Sequence, residues 1–449
     1  MRIYNTLTRK IEDFKSIEPS YVGMYTCGPT VYDFMHIGNL RTFVLSDLLL
    51  RTLKFNGYKV KAIQNITDID DKIIKRAKEG KLGILDVVNR YTKSFLEDIE
   101  KLNISIEDIV SPKATDYIPQ MISYIKDLVK KGFAYERDGS VYFDISKFGN
   151  YGKLSGVSLA ELKTGTRSLS DNYTKDNVAD FALWKKDEDF GVKSSWGKGR
   201  PGWHIECSVM SQENLGETFD IHVGGADLIF PHHENEIAQS EATTGKKFVN
   251  YFVHGAHLLV DGQKMSKSLN NFYTLKDIES KGSDPLALRY LYLQTHYRQE
   301  MNFTWEALKS AQNALDKVRN EISDWPEPKI GCAEYEQRFK DAITDDLNMP
   351  KALSVVWELM KSDYPNEAKF ESLLKFDKVL GLDLKRIKDE GLKIKELEIP
   401  EDVQKLIKER EEYRKGKRYH LADQWRNKIR KLGFDIEDKE EGTVITKRG

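Results

Sequence analysis

Two cysteines, a histidine and a glutamate fall where they could share a metal ion. Cys27 follows a short apolar run in "MYTCGPTVYD", Cys207 lies in "GWHIECSVM", and His232 and Glu236 stand four apart in "FPHHENEIAQSEA". On a helix opened after Pro231, that spacing sets both side chains on one face. Two thiolates, an imidazole and a carboxylate could complete a tetrahedral S₂NO site, a donor set that suits zinc. The same residues also fit a plainer role, as a solvated His–Glu pair and two core cysteines.

Two further stretches could meet a polyphosphate. His36-Ile37-Gly38-Asn39 opens a helix, where free N–H groups and the positive end of the dipole attract anions. Gly38 would let a flat base approach the backbone. Lys264-Met265-Ser266-Lys267-Ser268 follows a strand-like 257–260 and the turn Asp261-Gly262, and two lysines in such a loop can neutralise phosphate charge. Taken singly, these are equally a strand-to-helix turn and an exposed hairpin.

The elements that must position these residues follow from pattern. Residues 22–26 read as a buried strand, 38–56 as a helix ending at Asn56-Gly57, and 59–64 as a second strand. This is a βαβ unit with His36 at the carboxyl end of its first strand, where open α/β sheets bind nucleotides. Residues 83–131 read as helical, punctuated by Pro112 and Pro119. Short alternating strands with Gly and Ser turns fill 132–199, and 219–223 is a strand running into Gly224-Gly225. Helices are expected over 305–395, then a charged helix pair and a strand at 442–446.

Composition bounds the partners. The 449 residues carry 31% charged and 40% hydrophobic side chains with a formal net charge of −1, as in an ordinary soluble globular protein. Any nucleic acid must therefore be met by local patches. No run approaches the roughly 20 apolar residues of a membrane span, and "MRIYNTLTRK" lacks a signal-peptide core. Cys27, Cys207 and Cys332 are too few and dispersed for a disulfide framework, so a cytoplasmic setting is expected.

Together the motifs resemble one family over essentially the whole length. "YNTLTRK", "MYTCGPTVYD", "NITDIDDKIIKRA", "WGKGRPGWHIECS", "FPHHENEIAQSEA", "KMSKS", "DDLNMPKAL" and "GFDIED" are similar to the cysteinyl-tRNA synthetases, class I aminoacyl-tRNA synthetases. Residues 36–39 match the HIGH signature and 264–268 the KMSKS loop. Asn39 stands for the usual second histidine, Val223 for a frequent glycine before Gly224, and Asn270 for a glycine common after the loop.

The resemblance implies a Rossmann-like parallel-sheet α/β core over 1–115 and 201–305, the second part with the KMSKS and stem-contact region. It also implies an inserted α+β subdomain over 116–200, a helical bundle over 306–395 and a C-terminal anticodon-binding domain over 396–449. It implies activation of L-cysteine by MgATP and transfer to the 3′-terminal ribose of tRNA(Cys). One zinc per chain, on Cys27, Cys207, His232 and Glu236, would select the substrate thiolate, because packing alone discriminates poorly between cysteine and serine. His36, Asn39, Lys264 and Lys267 would be catalytic. With Gly38, Gly224, Gly225 and Asp227 they would hold ATP, while Cys27, Thr67, Trp203 and His222 would line the amino-acid pocket.

Residues 405–431 hold eleven Lys or Arg and four acids, a local excess of +7, with aromatics interleaved. By composition this is a solvated face. By its place in the family it is where tRNA is read, with Trp425, Arg426, Arg430 and Lys431 as contacts. A monomer is expected. The rivals are a mycothiol-pathway ligase joining cysteine to an amino sugar, and a catalytically silent zinc- and RNA-binding derivative.

Overall fold

A short antiparallel hairpin, β1 (Arg2–Asn5) with β2 (Lys10–Asp13), leads into β3 (Tyr21–Thr26). From Val22 on, every side chain of β3 is buried, as in a central strand covered on both faces. His36 then caps α1 (Ile37–Phe55), which buries Leu40, Phe43, Val44 and Leu48 and stops at Asn56-Gly57, where Gly57 has φ +88°. The chain returns through β4 (Lys59–Gln64) and passes α2 (Asp71–Gly80) and α3 (Ile84–Lys101) before β5 (Ile109–Val110) and α4 (Ile118–Lys130). The computed structural model describes residues 1–158, 180–266, 269, 271–386, 400–416, 418–439 and 442–447.

An antiparallel sheet of β6 (Ala134–Arg137), β7 (Ser140–Phe143), β8 (Phe181–Lys186), β9 (Val192–Ser194) and β10 (Gly197–Pro201), in the order 6-7-8-10-9, interrupts the parallel one. The parallel sheet resumes through α5 (Trp203–Leu215), β11 (Phe219–Gly225), α6 (Glu234–Thr244) and β12 (Val249–Gly255). Its order is 12-11-3-4-5, every pair parallel. The connections from β3 and from β11 leave toward opposite edges, so a crevice opens between the ends of those two strands. The expected α/β class with a Rossmann-like core and an inserted antiparallel segment is observed.

Beyond β12 come β13 (Leu258–Val260), β14 (Gln263–Lys264), α7 (Leu275–Ser280), α8 (Pro285–Leu293) and β15 (Met301–Phe303). Then follow α9 (Trp305–Ser323), α10 (Ala333–Thr344), α11 (Met349–Lys361) and α12 (Asn366–Leu380). Residues 1–315 with 328–382 form one compact unit, and 316–327 with 383–449 a second. The second contains α13 (Glu401–Lys415), α14 (Tyr419–Lys431) and the hairpin β16 (Phe434–Lys439)–β17 (Gly442–Lys447), around Val403, Ile407, Ile429, Phe434 and Ile436.

The structure departs from the sequence pattern in three places. α6 opens at Glu234, so His232 lies in the segment just before that helix and not on it. The stretch 83–131 is two helices, not one run: the β-branched pair Ile109-Val110, just before Ser111-Pro112, pairs with Ala62 and Ile63 as the fifth parallel strand. Pro119 sits in the first turn of α4, where its missing N–H costs nothing. The C-terminal strand also has a partner the pattern missed, because a lone strand would leave its backbone groups unpaired. Among the described residues no helix is long and apolar enough to cross a membrane.

Candidate metal and nucleotide site

Cys27 is the first residue beyond β3, and its N–H still bonds the Val223 carbonyl of β11 at 3.2 Å. Its sulfur lies 3.8 Å from that of Cys207, on α5, and 3.7 Å from Oε1 of Glu236, on α6. His232 Nε2 is 3.0 Å from the same oxygen. All four side chains are buried and their ligand atoms lie within 4.8 Å of one another. Metal–sulfur bonds of about 2.3 Å in a tetrahedron give an S···S edge of about 3.8 Å. The separation therefore fits a shared ion without rearrangement.

The electrostatics divide the four groups. The hydrogen bond from Cys27 brings the Cys207 thiol down to about 6 against its burial, whereas burial and then Cys207 push the Cys27 thiol well up. Burial works against charge on Glu236, yet His222 and His232 hold its carboxyl at about 2. Burial likewise opposes charge on His232, but Glu236 raises it to about 10. Ionising both thiols beside the carboxylate would bury three negative charges, which a bound cation could balance.

A second convergent set shares two of these groups: Cys27, His222, His233 and Glu236. His222 Nε2 is 2.8 Å from Glu236 Oε2, and His233 Nε2 is 3.2 Å from the Cys27 sulfur. His233 in turn meets His254 at 2.8 Å, and His204 meets His232 Nδ1 at 2.8 Å. Such outer hydrogen bonds fix ring orientation and tautomer at a metal site. Sequence reasoning did not single out His204, His233 or His254, although His204 and His233 lie inside the two motifs that gave Cys207 and His232.

An open cleft of about 230 Å³ adjoins this cluster. Cys27, His36, Asn39, Trp203, Gly225 and Asp227 line it. The Trp203 ring lies over His232, centroids 4.2 Å apart. Thr67 and His222 are wholly buried instead. Thr67 donates to Glu206 Oε2 at 2.8 Å and accepts from Asn65 Nδ2 at 3.1 Å, while Asn65 Oδ1 accepts the Gly28 N–H at 2.9 Å. Asn65, which the sequence gave no reason to select, thus ties the Cys-Gly-Pro turn to Thr67.

His36 and Asn39 form a reciprocal cap on α1. His36 Nδ1 accepts the Asn39 N–H at 3.0 Å, and Asn39 Oδ1 faces the His36 N–H at 3.4 Å. A Cβ on Gly38 would lie 3.0 Å from His36 Nδ1, so the glycine here makes room for the capping ring. A Cβ on Gly224 would lie 2.7 Å from His233 Cε1, so that glycine lets the end of β11 rest on the histidine cluster. Burial lowers the pKa of His36, with Asp227 opposing.

Lys264 ends β14 and is exposed. Asn271 spans its loop, donating to the Lys264 carbonyl at 3.2 Å and accepting the Ser266 N–H at 2.8 Å. Just beyond, the Tyr273 carbonyl accepts the Ile37 N–H at 2.9 Å and Phe272 meets the His36 ring edge-on. The lysine loop is thereby rooted beside the cap of α1. Lys267 and Asn270 lie outside the described residues. In the second unit, Trp425 gives its indole N–H to Glu409 at 2.8 Å under the Lys428 ammonium, and Arg430 pairs with Asp435. Arg426 faces Asp423 at 3.4 Å, and Lys431 is exposed.

The family described as tRNA synthetases class I (C) catalytic domain matches residues 13–313. A Cysteine--tRNA ligase of Brachyspira hyodysenteriae is 45% identical, covering 98% of both chains. One of Chlamydia muridarum is 45% identical, covering 99% of both. The chain belongs to the cysteine–tRNA ligase family. Among solved structures, a Mycobacterium tuberculosis methionyl-tRNA synthetase in complex with methionyl-adenylate has a TM-score of 0.57 at 15% identity, covering 82% of this chain and 90% of its own. An Agrobacterium radiobacter K84 LeuRS in a ternary complex with tRNA and LeuAMS has a TM-score of 0.58 at 11% identity, covering 86% of each. These two likenesses concern the fold, and they agree that this member of the ligase family has the class I core.

Proposed function

We propose that the protein activates L-cysteine with ATP and transfers it to the 3′-terminal ribose of tRNA(Cys). One observation carries the cysteine reading: Cys27 lines the open cleft and also stands 3.8 Å from the Cys207 sulfur, so the metal-fitting donor set borders the substrate space. Cys27, Cys207, His232 and Glu236 hold zinc, the set with two sulfur donors being favoured over the one with a single sulfur. When bound, the ion supplies a Lewis acid that prefers thiolate to hydroxyl, and so separates cysteine from serine.

The carboxylate oxygen of cysteine attacks the α-phosphorus of ATP and pyrophosphate leaves. A ribose hydroxyl then attacks the adenylate carbonyl and AMP leaves. The protein's part is position and charge. The His36–Asn39 cap presents the N-terminus of α1 to the phosphates, and Lys264 with Lys267 meets the charge developing there. Gly224, Gly225 and Asp227 hold the adenosine, while Trp203 packs on His232 at the wall of the amino-acid pocket. His222, wholly buried against Glu236, orients that carboxylate, and Thr67 steadies the turn after Cys27.

The test is cysteine-dependent exchange of pyrophosphate into ATP, followed by charging of tRNA(Cys). Both activities are expected. Exchange without charging would favour ligation to an amino sugar, and absence of both would leave a silent binding protein.

A further inference from the structure

The mouth of the cleft carries aromatic and basic side chains that neither the metal set nor the nucleotide set uses. Phe34, two residues before His36, is 38% exposed at the cleft wall. The Arg90 guanidinium lies 5.8 Å from its ring centroid, and Tyr91 meets the ring edge-on at 5.1 Å. Arg76 donates to the Tyr91 hydroxyl at 2.9 Å and faces Asp33 at 3.4 Å. Lys72 Nζ sits 5.3 Å from the Tyr32 ring, and both residues also line the cleft.

Tyr32 and Tyr91 belong to a small core with Val31, Ile66, Ile73 and Val87, which accounts for them structurally. Phe34 is not so accounted for: its ring is steadied at an edge and left open to solvent. Arg90 and Lys72 are exposed cations on α3 and α2, brought to the same corner. An open aromatic face flanked by cations is what an unpaired nucleotide strand uses, with bases on the ring and phosphates on the charges. Phe34 to His36 is at most about 7 Å of chain, so a base stacked there lies at the threshold of the reacting centre.

We propose that Phe34, with Lys72 and Arg90, is the landing platform for the unpaired 3′ end of the tRNA as it enters the cleft. This rests on the proposed function. That function requires a 3′-terminal ribose to cross the rim to an adenylate held inside.

The test compares cysteine-dependent pyrophosphate exchange with tRNA charging in the full-length zinc-loaded enzyme. Phe34→Ala is expected to lower kcat/KM for tRNA by about tenfold, the order of one lost base–aromatic stack, with exchange kept within about twofold. Phe34→Tyr should restore charging, since any aromatic face serves. Arg90→Gln, an exposed change that removes the charge and keeps a side chain of similar reach beside Phe34, should flatten the dependence of log kcat/KM on log salt by about one. Wild-type charging in both Phe34→Ala and Arg90→Gln would overturn the inference. So would equal losses in exchange and charging, which would place Phe34 in the ATP or amino-acid site. A wild-type enzyme with no exchange would remove the underlying reading and the platform with it, whereas wild-type exchange with unimpaired variants removes the platform alone.

Discussion

Arg41 donates from Nη1 to the carbonyl of His257 at 3.0 Å, joining the first turns of α1 to the root of the lysine loop. The same guanidinium serves the carbonyls of Ala256, His296 and Gln299 at 2.9, 3.3 and 2.8 Å. Burial brings its pKa down to about 10, which leaves it charged at neutral pH. Arg41→Met would leave these part-buried carbonyls without their donor, at a cost of about 2 kcal/mol. It should also slow exchange at least tenfold, because the cap and the loop lose their common brace. Arg41→Lys should recover little of either, its point charge lacking the planar fork. Denaturant titration and exchange kinetics on both variants check this, and wild-type exchange in Arg41→Met would refute it.

Cys207→Ser should lose bound zinc and cysteine-dependent exchange together, because a hydroxyl does not replace a thiolate donor. Metal analysis of the purified variant is the measurement. Retention of one zinc per chain would shift the assignment to the set with His222 and His233. Chelation of the wild type should abolish exchange, and zinc should restore it.

Arg426→Glu with Lys431→Glu should lower kcat/KM for tRNA about tenfold or more and leave exchange unchanged. Both lie on α14, whose last turn is basic. The salt dependence of charging should fall by about two, one for each phosphate no longer neutralised. Equal charging by the double variant would mean that this face is only solvated.

Asp98, on α3, carries a carboxyl that burial raises to about 7, Glu279 and Glu97 adding to the shift and Lys101 opposing it. An unfolded Asp titrates near 3.9, so between about pH 4 and pH 7 the folded chain binds the extra proton. Stability from this group is therefore lost as pH rises through that window. Asp98→Asn should be more stable than wild type at pH 8, by on the order of 1 kcal/mol after allowance for solvent screening, and indistinguishable from it at pH 4. Urea midpoints at the two pH values decide it.

What the sequence made legible divides along physical lines. The βαβ unit, the glycine-bearing end of β11 and the Cys27, Cys207, His232, Glu236 convergence could be read because each rests on a local pattern or a motif. β5 could not, since two residues have no periodicity and only a neighbouring strand makes them a strand. The histidine network was hidden for a related reason. His204, His233 and His254 matter through contacts between α5, α6 and β12, which spacing does not encode. Gly38 was read as space for a base; that a Cβ there would also lie 3.0 Å from His36 Nδ1 is a contact the motif does not spell out.

The two sulfurs that meet at 3.8 Å are 180 residues apart in the chain. At about 5–20 residues per second, the ribosome releases the second roughly 10–40 s after the first. Through that interval Cys27 is a thiol without its partner, on a half-sheet that lacks β11. The four donors therefore cannot converge before the second half of the core has folded, and whatever Cys27 meets during that delay, it meets as a lone thiol.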